Sequence, residues 1–174
     1  MGVVVPAYDE EALIAATLGG IPPLVDRIIV VNDGSTDRTR ERALELGDPR
    51  VEVLEHERRS GVGAATLTGY RRALDDGLDV VVVMNGDNQM DPGDLPALVE
   101  PVARGELDYA KANRLATGQA WQLIPKTRFF GNAILSMLTK VASGYWHVAD
   151  SQSGYTVVSR EMLGQLDCES ATCQ

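Results

Sequence analysis

The chain has 174 residues, 44% of them hydrophobic, which is enough for one domain with a sizeable buried core. A net charge of −9 and a pI of about 4.7 argue against nucleic acid as a partner, because polyanion binders are usually basic. Aromatic residues make up 5%, too few for a base-stacking platform.

A small anionic substrate stays open, since local donors can outweigh the global charge. The two cysteines, Cys168 and Cys173, lie near the C-terminal end. They are spaced more widely than a CxxC pair and have no second pair, so they read as incidental thiols rather than a zinc site. The N-terminus enters a strand almost at once, so no signal peptide is read. No window approaches the roughly 18 unbroken apolar residues of a spanning helix. The expected location is the cytoplasm.

In chain order, residues 3–5 read as a short buried strand ended by Pro6. Residues 9–21 read as a helix with Asp9, Glu10 and Glu11 at its positive end. Leu13, Ala16, Thr17 and Gly20 form its packed side, and Pro22 and Pro23 close it. Residues 26–33 are a second strand, followed by a helix capped by Ser35 or Asp37 and running to about Leu46. Residues 51–56 are a third strand. A helix over 61–74 carries Leu67, Tyr70 and Leu74 on one side. A fourth strand over 79–84 precedes a helix over 94–104 with Leu95, Leu98 and Val102.

This βαβαβαβα order predicts an α/β fold with parallel pairing through right-handed crossovers. Ligands of such sheets bind beyond the carboxyl ends of the strands. The polar clusters at 6–10, 32–37 and 85–91 all follow strand ends, so they are expected on one rim. Further on, 108–115 reads as a strand with a basic tail, 116–128 as a loop, and 129–143 as a helix through Phe130, Ile134, Leu138 and Val141. A strand over 155–158 and a short helix follow. Residues 1–166 form the expected catalytic domain and 167–174 a tail.

The strongest chemical signal is VVVVMNGDNQMDP at 80–92. A strand buried on both faces leads into Asn85, Asp87, Gln89 and Asp91, and Pro92 stops further pairing. Alternating oxygen donors suit Mg²⁺ or Mn²⁺ bridging a substrate phosphate. The same residues also suit a plain turn. PAYDE at 6–10 puts Tyr8 where it can stack on a base and Glu10 where it can accept from a sugar. Asp33 in NDGSTD can accept a base N–H, and the turn at Gly34 allows close approach. ERRSGVGAA at 57–65 lacks the Lys-Ser/Thr of a P-loop. Its backbone donors around Gly61, with Arg58 or Arg59, can still hold a phosphate or sugar. Lys111, Arg114, Lys126 and Arg128 form the conspicuous basic interval. His56 and His147 stand isolated, and each reads as an ordinary buried or surface histidine.

PAYDE, VVNDGSTDRT, GVGAATLTGY, MNGDNQMDP, DYAKANR and DSQSGYTVVSRE, in that order, resemble the inverting family 2 glycosyltransferases. The branch they resemble is the dolichyl- and polyprenyl-phosphate sugar transferases. The resemblance implies a GT-A fold, a Rossmann-like mostly parallel sheet with helices on both faces. It also implies a UDP- or GDP-sugar donor, Mg²⁺ or Mn²⁺, a polyprenyl-phosphate acceptor, and work at the cytoplasmic face of a membrane. By resemblance, Pro6, Ala7, Tyr8 and Glu10 line the nucleoside pocket and Asp33 contacts the base. Gly61 and Gly86 join the donor-binding set. Asn85, Gly86 and Asp87 stand for the DxD element, with Gln89 as a further metal ligand. Arg114 and Arg128 meet diphosphate or acceptor phosphate, and Gln152 and Ser153 lie in an acceptor element.

Three departures stand out. Asn85 replaces the usual first carboxylate, Ser151 replaces the usual proline, and the branch normally continues with amphipathic or transmembrane helices. If the acceptor is instead a carbohydrate hydroxyl, a carboxylate must take its proton, and Asp150 is the candidate by position. A non-catalytic nucleotide-sugar-binding domain is the remaining alternative.

Overall fold

The structure is a computed structural model and describes residues 1–112 and 154–165. Two compact units divide the chain, Met1–Ala110 with Tyr155–Gln174, and Lys111–Gly154.

Four strands alternate with helices: β1 (Gly2–Ala7), β2 (Arg27–Asn32), β3 (Val51–Glu55) and β4 (Val80–Val83). β1 and β4 are buried at every position, which is why their sequences are apolar runs rather than alternating ones. β5 (Tyr109–Lys111) and β6 (Thr156–Ser159) complete a six-stranded sheet in the order β3-β2-β1-β4-β6-β5. The pairs β1–β2, β1–β4 and β2–β3 are parallel, as the crossover helices require. β6 runs antiparallel to β4, with Val82 opposite Val157. The order of strands and the reversal of β6 are not legible in the elements themselves.

The helices are α1 (Ile14–Gly20), α2 (Thr39–Glu45), α3 (Val62–Asp75), α4 (Leu95–Ala103) and α5 (Arg160–Gln165), with a 3-10 turn at Pro92–Asp94. On one face of the sheet, Val4, Ile29, Val31, Val81 and Val83 pack with Ala65, Tyr70 and Ala73 of α3 and Leu163 of α5. Successive strand residues point to opposite faces. Val3, Val5, Ile28 and Val30 are therefore turned to the other face, and they are buried there too. Gly69 is where α3 crosses β1. A Cβ there would stand 2.2 Å from Val4 Cγ1, so only glycine allows this approach.

One helix starts later than its sequence suggests. The expected helix over 9–21 begins at Ile14. Asp9 has a φ of 52°, and the amides of Asp9, Glu10 and Glu11 donate to Ser35, Thr39 and Asp37 instead of starting a helix. The three acidic residues thus lie in the loop before α1 and not in its first turn. α2 likewise has no side-chain cap from Ser35 or Asp37, although Asp37 accepts the Thr39 amide at 3.0 Å. The expected helix over 129–143 lies outside the described residues, as does the 116–128 loop.

Candidate functional site

The strand order decides the site. β1 lies between β2 and β4, so the loops after these three strands leave the sheet side by side. Backbone bonds carry the pairing past the strand ends: Asp33 N donates to Ala7 O at 2.9 Å and Gly86 N to Pro6 O at 3.2 Å. The first two loops are then laced together. Asp9 N donates to Ser35 Oγ at 3.0 Å, Glu10 N to Thr39 Oγ1 at 2.8 Å, and Thr36 N to Asp9 Oδ1 at 2.8 Å. The third is tied in where Thr17 of α1 donates its hydroxyl to Gly86 O at 2.9 Å. Pro6, Ala7, Tyr8, Glu10, Asp33, Asn85, Gly86 and Asp87 are therefore held on one rim.

Asp33 is almost sealed, with 4% of its side chain exposed. His56 Nδ1 meets Asp33 Oδ1 at 2.7 Å, and the Ser60 amide donates to the same oxygen at 2.9 Å. The Gly61 amide donates to Oδ2 at 2.7 Å. Burial pushes the Asp33 carboxyl upward, but the Ser60 amide, His56 and the Gly61 amide outweigh it and leave it below its ordinary value. Asp33 thus clamps the 58–61 loop to the end of β2. Gly34 completes the clamp: its φ is 69°, and a Cβ there would stand 2.6 Å from Arg59 N. Gly61 contributes its backbone to this carboxylate. His56 also meets Thr68 Oγ1 through Nε2 at 2.9 Å. Sequence reading missed His56 because its partners lie 23 and 12 positions away and form no motif.

Tyr8 is half-buried, and the Arg59 guanidinium lies over its ring at 4.1 Å from the centroid. A cation thus occupies one face of the aromatic ring that the sequence suggests for a base.

The β4 end is acidic. Burial pushes the Glu10 carboxyl up, and the neighbouring charges of Asp87, Asp37 and Asp9 push it further. Asp87 Oδ1 accepts the Gln89 amide at 3.2 Å, which folds the turn. Asn88 takes a φ of 54° in that turn. Among the described residues no three His, Cys, Asp or Glu side chains form a metal cluster. A divalent cation here would therefore lean on one carboxylate, Asp87, with the amide oxygens of Asn85 and Gln89. That donor set is all oxygen and fits Mg²⁺ or Mn²⁺ that retains water and substrate ligands. The repulsion felt by Glu10 is the local reason a cation would be welcome.

Arg114, Arg128, Asp150, Gln152 and Ser153 lie outside the described residues, as do His147, Ser151, Lys126 and both cysteines. Among the described residues no helix is long and apolar enough to cross a membrane.

The mostly parallel sheet with its polar loops at one edge is of the GT-A glycosyltransferase type. It matches the crystal structure of glucosyl-3-phosphoglycerate synthase from Mycobacterium tuberculosis in complex with Mn²⁺, UDP and glucosyl-3-phosphoglycerate, with a TM-score of 0.69 and 29% identity. That match covers 92% of this chain and 57% of the other. Residues 2–167 match the family model described as Glycosyl transferase family 2, and the chain belongs to that family. It is 31% identical to the UDP-N-acetylglucosamine–dolichyl-phosphate N-acetylglucosaminyltransferase of Methanococcus voltae, across 94% of this chain and 71% of the relative. It is 30% identical to the undecaprenyl-phosphate mannosyltransferase of Micrococcus luteus, across 96% and 69%. The chain thus spans a little over half of the solved structure and about 70% of these two relatives.

Proposed function

We propose that this chain is the catalytic domain of a metal-dependent inverting glycosyltransferase that moves a sugar from a UDP- or GDP-sugar to a polyprenyl or dolichyl phosphate. The observation that carries this reading is the gathering of Tyr8, Asp33 and Asp87 on one rim by the β2-β1-β4 order. The names of the two relatives, both transferases to a lipid phosphate, support the acceptor.

Tyr8 and the Pro6–Ala7 backbone flank the nucleoside, and Asp33 accepts one N–H of its base. Asp87, Gln89 and Asn85 would hold the cation, which would supply positive charge to a departing nucleoside diphosphate. The acceptor oxygen bonds to the anomeric carbon from the opposite face as the bond to the diphosphate breaks. A phosphate acceptor is already anionic near neutral pH and needs no base. Arg114 and Arg128 are assigned to its charge by resemblance. The basic charge that such an acceptor needs falls in the 111–128 interval.

A second reading is favoured by the solved structure, whose complex holds glucosyl-3-phosphoglycerate and not a lipid. On this reading the acceptor of the present chain is a hydroxyl, and Asp150 takes its proton. The test is transfer from labelled nucleotide sugars to polyprenyl phosphate in detergent, set against hydroxyl acceptors. Transfer to polyprenyl phosphate that is lost in Arg114→Ala supports the lipid-phosphate reading. Transfer only to a hydroxyl acceptor, untouched by Arg114→Ala, overturns it. Nucleotide binding with no transfer to any acceptor favours a non-catalytic binding domain.

A further inference from the structure

We propose that His56 is a positioning residue for nucleotide recognition: it fixes the Asp33 carboxylate between β2 and α3 so that one acceptor site on Oδ2 is presented to the nucleobase. The inference rests on the reading that Asp33 accepts a base N–H.

An ionised carboxylate offers about four lone-pair sites. Among the described residues, Asp33 Oδ1 receives two donors, His56 Nδ1 and the Ser60 amide, and Oδ2 receives one, the Gly61 amide. The site left over is on Oδ2. Because Asp33 is held ionised and only accepts, His56 Nδ1 must carry the proton. His56 Nε2 meets the Thr68 hydroxyl at 2.9 Å, so the ring is held at both of its nitrogens.

The anchor behind His56 is rigid. Thr68 precedes Gly69, the residue at which α3 lies so close to β1 that no side chain fits. A line of contacts therefore runs from Val4 through α3 and His56 to Asp33. The His56 side chain is 17% exposed and that of Asp33 4%, so neither swings freely into water. Ser60 and Gly61 hold the carboxylate through main-chain amides at the start of α3, where the Gly61 carbonyl accepts the Ala65 amide at 3.0 Å; His56 adds a side-chain link to Thr68, further along the helix. Without His56 the carboxylate keeps one amide on each oxygen, Ser60 on Oδ1 and Gly61 on Oδ2, and loses its side-chain tie to Thr68 of α3.

A purely structural histidine would make the same bonds, so the experiment separates binding of the base from folding. Calorimetry with Mn²⁺ compares UDP and GDP against inorganic diphosphate. In His56→Phe, which keeps the ring and loses both nitrogens, nucleoside diphosphate affinity falls about tenfold. Inorganic diphosphate affinity stays as in the wild type. His56→Asn, whose amide replaces the Nδ1 donor, restores most of the loss. Thr68→Val, which removes only the far anchor, shows a smaller loss in the same direction and stands in if His56→Phe does not fold. In an Asp33→Ala background His56→Phe adds nothing. In turnover the donor KM rises while kcat holds.

Equal losses for nucleoside diphosphate and inorganic diphosphate, or an additive loss on Asp33→Ala, would overturn the positioning role. If Asp33→Ala weakens nucleotide binding and His56→Phe does not, this inference alone fails. If Asp33→Ala changes nothing, the base-reading assignment fails and takes the role of His56 with it.

Discussion

The Arg59 guanidinium stands 4.1 Å from the centroid of the Tyr8 ring, joining the loop after β3 to the loop after β1 across the end of β2. Arg59 can do this because Gly34 lets the backbone of residues 58 and 59 come within contact of the β2 end. The pair closes the side of the rim proposed for the nucleoside. A cation over an exposed aromatic face is worth about 0.5–1 kcal/mol. Arg59→Ala is expected to lower stability by about that amount. Tyr8→Ala in the same background should show a coupling of similar size in urea denaturation. Additive losses would mean that the stack contributes nothing.

Asp87 is the carboxylate of the proposed cation site, and its neighbours Asn85 and Gln89 supply neutral oxygens. Nucleoside diphosphate is expected to bind much more tightly with Mn²⁺ than without it. Asp87→Ala should remove that enhancement, by at least about tenfold, since even outer-shell partners of metal sites cost about 10–100-fold. Asn85→Asp restores a second charge and should strengthen Mn²⁺ binding. Calorimetry that finds the same metal dependence in Asp87→Ala would place the cation elsewhere.

Gly69 tests the packing that positions the site. An added methyl would stand 2.2 Å and 2.9 Å from the two Val4 methyl carbons, inside a sealed core. Overpacking of this kind costs about 1–3 kcal/mol. Gly69→Ala is expected to fall in that range by urea denaturation. Combined with Val4→Ala, it should cost less than the sum of the two. A freely tolerated Gly69→Ala would show that α3 can lift from β1, and the anchoring of His56 through Thr68 would lose its basis.

Asp33 gives the acid dependence a sign. Its carboxyl lies below its ordinary value of 3.8 because three donors outweigh the burial that opposes them. A carboxyl lowered in the fold contributes stability that is present above its unfolded value and is lost as pH falls through its folded value. The melting-temperature gap between wild type and Asp33→Asn should therefore be widest well above the ordinary carboxyl value of 3.8 and shrink as pH falls below it. A gap that grows on acidification would reverse the assignment.

Much of this fold is legible in the chain because its signals are local. Apolar runs at 3–5, 28–31 and 80–83 mark strands buried on both faces, and the helical stretches between them force parallel pairing. Asp33 and Asp87 were readable as candidates because each follows such a run directly. The start of α1 was not readable. Residues 9–11 have helix-friendly acids, but their amides are taken by side chains 26 to 29 positions away.

Local patterning along the chain sets the elements and the polar residues at their ends, since hydrophobic period and turn chemistry act over a few residues. Tertiary structure alone decided that β1 lies between β2 and β4, and so which loops meet. It alone turned β6 against β4, laid Arg59 over Tyr8, and set His56 between Asp33 and Thr68. Each of these joins residues far apart in the chain through packing and hydrogen bonds that no local pattern encodes. Nothing in HERR distinguishes a histidine at a strand end from one wedged between a carboxylate and a helix; the difference arises once α3 is seated on β1.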